Sequence, residues 1–186
     1  MIWLSLGVAL WAATHLLKSG AGPFRQSLIS RLGEDKYKGL FSLVIVASLV
    51  LMVVGWRSTL PSIVYSPPLW GRHATMLLML LALVLFAASG MPSNIKRLLR
   101  HPQLTGVMTW TLAHLVSNGD SRSLVLFGGI GLWALIEVLL INRRDRAWQK
   151  PASQPARADI RVVVGAIVAY VVIYFAHPYL FGVSVM

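Results

Sequence analysis

Histidine is the side chain in this sequence best suited to hold a metal or pass a proton. There are five: His15, His73, His101, His114 and His177. A neutral imidazole carries one lone pair and one N–H, so one nitrogen can ligate while the other fixes the ring's orientation. Cysteine is absent, which removes disulfides, thiolate ligands and covalent haem attachment through C-x-x-C-H. His101 and His114 share one apolar stretch that begins after the basic cluster Lys96, Arg97 and Arg100 and stops at Asn118-Gly119-Asp120. On a continuous helix their thirteen-residue separation is roughly 20 Å. Thr111, His114 and Asn118 follow i, i+3, i+7 spacing and share a face. An ionisable side chain inside an apolar helix marks a functional site, because a polar group is costly in lipid. Trp110 lies one turn before His114, where packing is the simpler role and cofactor stacking the sharper one.

The elements that must position these side chains are membrane helices. Of 186 residues, 56% are apolar and only 12% charged, against about 25% charged in soluble domains; mean hydropathy is +0.69. The chain reads as an all-α integral membrane bundle, one domain over residues 1–186. Each apolar run exceeds strand length, and lipid admits only helices or closed barrels. Six segments approach the 17–25 residues a crossing requires: Ile2–Leu17, Leu40–Trp56, Ala74–Gly90, Leu104–Asn118, Ser123–Ile141 and Val162–Leu180. The first Lys or Arg is Lys18, so a retained helix is expected at the N-terminus in place of a cleaved signal. No internal repeat is evident.

The charge placement predicts orientation. Lys18, Arg25, Arg31, Lys36 and Lys38 lie between helices one and two. Lys96, Arg97 and Arg100 lie between three and four, and Arg143, Arg144, Arg146, Lys150, Arg157 and Arg161 between five and six. Only Arg57, Arg72 and Arg122 occupy the other connections, fourteen against three. The positive-inside rule then puts both termini outside and the basic connections in the cytoplasm. The net charge of +11 is thus spent on topology and anionic lipid, not on nucleic acid. Trp3, Trp56, Trp70, Tyr179 and Trp148 fall at interfacial depth. Lys150–Arg157, with two prolines, is expected to be a mobile linker.

Depth sorts the histidines. A haem iron held between two imidazoles needs both at one level. That pairs His114 with His177 toward the outside, or His15 with His101 toward the inside. The plainer roles are a lipid-headgroup contact for His101, a helix cap for His177 and a solvated loop for His73. Met108 is a weaker axial candidate. Glu137, the one acid well inside a segment, either snorkels to Arg143 and Arg144 or supports an inner histidine such as His15 as its hydrogen-bond acceptor. Gly128, Gly129 and Gly131 are expected to allow close helix packing. No P-loop, dinucleotide fingerprint, nucleophile elbow or H-E-x-x-H is present.

Residues spread over four helices resemble the NnrU family of bacterial membrane proteins. They are His15-Leu16-Leu17-Lys18-Ser19, Leu32-Gly33-Glu34-Asp35-Lys36-Tyr37-Lys38-Gly39, the His101–Asp120 stretch, Leu126-Phe127-Gly128, Trp133-Ala134 and Arg143-Arg144. The resemblance implies a multi-pass protein of the bacterial inner membrane, linked to nitric oxide and nitrite metabolism in a redox, sensing or accessory role and with protein partners there. A related branch, the 15-cis-ζ-carotene isomerase, is a haem b enzyme. Its ligands would carry over onto His15 and His114, and it has a cysteine where this chain has Thr111. Three functions are therefore expected to compete: a haem b protein of nitrogen-oxide metabolism, a carotenoid isomerase, and a cofactor-free assembly factor.

Overall fold

In the computed structural model, which describes residues 1–183, all six apolar segments are helical. The helices are α1 (Ile2–Gly20), α2 (Gly22–Leu32), α3 (Glu34–Ser58), α4 (Gly71–Gly90), α5 (Ile95–Leu98), α6 (Pro102–Ser117), α7 (Ser121–Ser123), α8 (Gly129–Asp145) and α9 (Ala156–Phe181), with a π turn at Leu124–Gly128 joining α7 to α8. No strand forms among the described residues; Ile63 and Asp120 make an isolated bridge. Glu34–Ser58, Gly71–Gly90, Ser121–Asp145 and Ala156–Phe181 are long and apolar enough to cross a membrane. That fits a membrane bundle. α1 and α6 do not reach that standard, and α6 at 16 residues spans about 24 Å.

Sequence expectation and structure differ at four places. The first connection contains α2, opened by Pro23 at its first turn and closed by Gly33 at φ +80°. It buries no residue, and its short stripe of Phe24, Leu28 and Leu32 is too brief to stand out as a membrane segment. α3 begins six residues before Leu40, where Glu34 and Lys38 pair at 2.8 Å one turn apart and Glu34 and Asp35 face the helix's positive end. The linker after α8 is pinned: Asn94 Nδ2 donates to Gln154 O (2.8 Å), Gln154 N donates to Asn94 Oδ1 (2.9 Å), and Asn94 Nδ2 also reaches Asp159 Oδ2 (2.6 Å). Of the three glycines, Gly128 has open space where a Cβ would go, whereas Gly129 faces Val8 and Gly131 faces Thr111.

The bundle is layered as α3, α1, α8, α6, α4 and α9, each packing on the next. α1 and α3 meet through glycine: a Cβ on Gly7 would lie 2.8 Å from Met52 N and Ser48 O, and one on Gly55 would overlap the Leu4 backbone. Leu4, Val8 and Met52 form the buried cluster there. Contacts gather the basic connections at one end, where Arg100 Nη1 donates to Arg146 O (2.8 Å) and His101 Nε2 meets Asn142 Oδ1 (2.8 Å). At the opposite end the N-terminal ammonium donates to Thr59 Oγ1, and Arg122 lies 4.6 Å over the Trp56 ring and donates to the carbonyls of Trp56 and Thr59. The expected outward C-terminus, at Met186, lies outside the described residues.

The corner between α6 and α7 is closed by the Asn118-Gly119-Asp120 turn that the sequence marked. Val64 N and Tyr65 N both donate to Gly119 O (2.8 and 3.1 Å), and the Tyr65 hydroxyl reaches the carbonyls of Leu115 and Asn118. Asp120 caps the next helix, accepting from the amides of Arg122 and Ser123 (3.0 and 3.1 Å) and from Ser123 Oγ (2.6 Å). Partial burial pushes its pKa up, but the Ser123 hydroxyl, the two amides and the Arg122 charge outweigh that and hold it below the usual carboxylate range. A depressed folded pKa contributes stability that is present above the unfolded value of about 3.9 and lost as pH falls through the folded value. Asp120→Ala should therefore cost about 1 kcal/mol at neutral pH and flatten the acid limb of a pH–melting profile in detergent. An unchanged acid limb would refute this role for Asp120.

Candidate functional site

Two helices carry the imidazoles, and they build the same local unit. In α1, the His15 Nδ1–H donates to Trp11 O at 2.9 Å; in α6, the His114 Nδ1–H donates to Trp110 O, also at 2.9 Å. A carbonyl can only accept, so the proton sits on Nδ1 and the Nε2 lone pair is left for a ligand. The indole one turn earlier lies against each ring, with centroids 4.3 Å apart at His15 and 5.0 Å apart at His114. Each unit begins with a glycine in close contact with a neighbouring helix. Gly7 abuts α3, and Gly106 faces Phe86 and Ala82 O of α4, where a Cβ would lie at 3.1 and 3.3 Å.

The sequence contains this repeat, although no repeat was expected. Gly7-Val8-x-x-Trp11-x-x-x-His15-Leu16-x-x-x-Gly20 recurs as Gly106-Val107-x-x-Trp110-x-x-x-His114-Leu115-x-x-x-Gly119. The two copies run antiparallel. Val8, Trp11 and Ser19 of α1 meet Gly129, Trp133 and Glu137 in turn, so α1 runs with α8. His101 and His114 of α6 meet Asn142 and Phe127, so α6 runs against it.

The helix between the copies covers each imidazole with an aromatic ring. Trp133 meets His15 with centroids 5.0 Å apart at 62°, and Phe127 stacks on His114 at 4.3 Å and 25°. Phe127 belongs to the π turn, a widened helical geometry that recurs at functional sites. It also meets Trp110 and Trp56 edge-on. Six residues separate Phe127 from Trp133, about 9 Å along the axis. His15 and His114 thus occupy two levels, on helices that α8 separates.

The other expected site residues fall as follows. His114 and His177 line one cleft of about 80 Å3, together with Met76, Met79, Tyr170 and Tyr174. His177 Nδ1 bonds to Val183 O (2.8 Å), and its Nε2 has no partner among the described residues. His101 sits against Asn142, nine residues from Trp133 and about 13 Å from the His15 level, so the inner pair is not brought together. His73 is exposed, in the first turn of α4. Thr111 is buried, bonded to Met108 O and packed on Gly131. Thr111 thus faces α8, and neither it nor Met108 lines the cleft. Asn118 Nδ2 donates to His114 O and ends the helix. Glu137 is buried and accepts from Ser19 Oγ at 2.7 Å. Its partner is thus the serine one turn beyond His15, and neither His15 nor an arginine bonds to it.

Among the described residues no three His, Asp or Glu side chains converge as a metal cage. His114 and His177 share one cleft, and His15 stands apart from them. The Nε1–H groups of Trp11 and Trp133, both beside His15, are buried without an acceptor among the described residues. A group bearing an acceptor oxygen would satisfy them. The donors fit a haem; the cleft at His114 is smaller than the roughly 300–1,000 Å3 of small-molecule sites. Seating a macrocycle there requires α9, which packs chiefly on α4, to move outward.

Fold and site define a class: an all-α bundle with helices fit to cross a membrane and two antiparallel Trp–His helices on either side of a central one. The family model described as NnrU protein matches residues 3–185, and the chain belongs to that family. No curated protein and no solved structure matches it.

Proposed function

We propose that this chain is a haem b protein of the bacterial inner membrane, acting in nitrogen-oxide metabolism in a redox, sensing or accessory role with protein partners there. The observation that carries the reading is His114: an intramembrane imidazole whose Nδ1 is committed to Trp110 O and whose Nε2 remains free beside a cleft shared with His177. His114 would hold the iron through its Nε2. His177 is supported as its partner by the shared cleft; His15 is the partner the zeta-carotene isomerase resemblance implies, against the different level at which it meets Trp133. When bound, haem would supply an iron that changes oxidation state; the chain would hold it, exclude water and orient the imidazole. The bundle is proposed to cross six times with both termini outside, on the fourteen-to-three cation asymmetry.

Protein purified in mild detergent from a haem-replete host should show a Soret band that sharpens and shifts on reduction. His114→Ala should abolish or shift it, and His177→Ala compared with His15→Ala would identify the partner. A colourless preparation, or a spectrum indifferent to His114→Ala, would overturn the site. A cofactor-free assembly role is the second reading, favoured by the ring faces of both imidazoles being taken up by aromatic side chains. Altered isomer composition on expression in a ζ-carotene-accumulating host would instead support the isomerase.

A further inference from the structure

A second cavity lies away from the histidine pair, at the basic end. It measures about 380 Å3 and opens between the end of α4, the α5–α6 junction, α8 and the segment that follows it. Lys96, Arg100 and His101 line it, with Trp148, Leu104 and Ile141. Lys96 and Arg100 are half-buried, yet neither takes part in an ion pair among the described residues. Arg100 commits one nitrogen to Arg146 O. Asp145, close enough for Arg100 to lower its energy, is engaged by Arg144 at 2.7 and 3.1 Å. Cations partly withdrawn from water and without an acidic partner favour an anion beside them.

Three further features give that anion a shape. α6 begins here with Pro102 in its first turn and no side-chain cap, adding the positive end of a helix to the two cations. Leu104 and Ile141 supply an apolar wall, which a free inorganic ion would not need. Trp148 lies at the same level, and indoles favour the headgroup region of a bilayer.

We infer that this cavity binds the phosphodiester headgroup of an anionic phospholipid. Lys96 and Arg100 would engage the phosphate, and the apolar wall the start of the acyl chains. Basic pockets between membrane helices bind such headgroups by this chemistry. The inference does not depend on haem.

The test uses the full chain in phosphatidylcholine nanodiscs with and without phosphatidylglycerol, with lipid retention read by native mass spectrometry. Wild type should retain phosphatidylglycerol preferentially, and Lys96→Gln/Arg100→Gln should weaken that retention by about thirtyfold. Lys96→Arg/Arg100→Lys, which keeps the charge, should restore it. Arg25→Gln/Arg31→Gln, an equal charge loss on α2, should leave it unchanged. Equal loss in the α2 variant, or equal retention of phosphatidylcholine, would overturn the site. Displacement of phosphatidylglycerol by millimolar inorganic phosphate alone would overturn the lipid assignment.

Discussion

Gly55→Ala should unfold this protein at a markedly lower temperature than wild type, although it adds a single methyl group. A Cβ at position 55 would overlap Leu4 N and lie 2.8 Å from Trp3 C. These are backbone atoms, which cannot rotate aside as a side chain could. α1 must therefore retreat from α3, opening the packing of Leu4, Val8 and Met52 and pressing Trp11 and His15 against Trp133 of α8, its other neighbour. Overpacking of this kind costs about 1–3 kcal/mol. Gly7→Ala, facing Ser48 O and Met52 N at 2.8 Å, should cost a similar amount. Gly39→Ala is the control, since open space surrounds that position and alanine is the better helix former by up to about 1 kcal/mol. Melting in detergent, followed by tryptophan fluorescence, would decide. A Gly55→Ala protein as stable as Gly39→Ala would mean that the helices are not in backbone contact.

The second large effect is expected at Phe127. Its ring is buried and lies against Trp56, Trp110 and His114 at once. Truncation to alanine removes three aromatic contacts and leaves a cavity at the π turn, a change that costs about 3–5 kcal/mol in protein cores. Phe127→Leu restores most of the volume but not the flat face stacked on the imidazole. It should recover most of the stability while still altering any spectrum that depends on His114. If Phe127→Leu matches wild type in both stability and spectrum, Phe127 is filler and orients nothing.

These two positions show where sequence reading reached and where it stopped. The six apolar segments became helices because runs such as Leu40–Trp56 have no other way to satisfy their backbone in lipid. α2 escaped notice because it is short, its stripe of Phe24, Leu28 and Leu32 sits in a connection rich in Arg, Lys and Ser, and the helix buries nothing. The π turn at Leu124–Gly128 leaves no mark in composition, since it differs from α-helix only in hydrogen-bond register. That position 114 sets an imidazole inside an apolar helix was legible, because polarity marks it without any tertiary information. The placement of His15 against Trp133 was not. α1 continues to Gly20, which draws His15 more than a turn inside the helix end and away from His101. The repeat shared by α1 and α6 hid for another reason. Its copies agree only at the glycines, the Val, the Trp, the His and the Leu, and they run in opposite directions through the bundle.

The vertical offset between the two Trp–His units gives the molecule an electrical asymmetry. Phe127 and Trp133 mark their levels, separated by about 9 Å in a hydrocarbon layer about 30 Å thick. In a bundle that crosses the bilayer as proposed, a unit charge transferred from one imidazole level to the other traverses about three-tenths of the transmembrane field. At about 2.3 kcal/mol per charge per 100 mV across the whole membrane, that step is worth about 0.7 kcal/mol for each 100 mV, or roughly a threefold change in its equilibrium constant. Charge exchange between the two sites would thus be electrogenic, favoured in one direction by an energised membrane and in the other by its collapse.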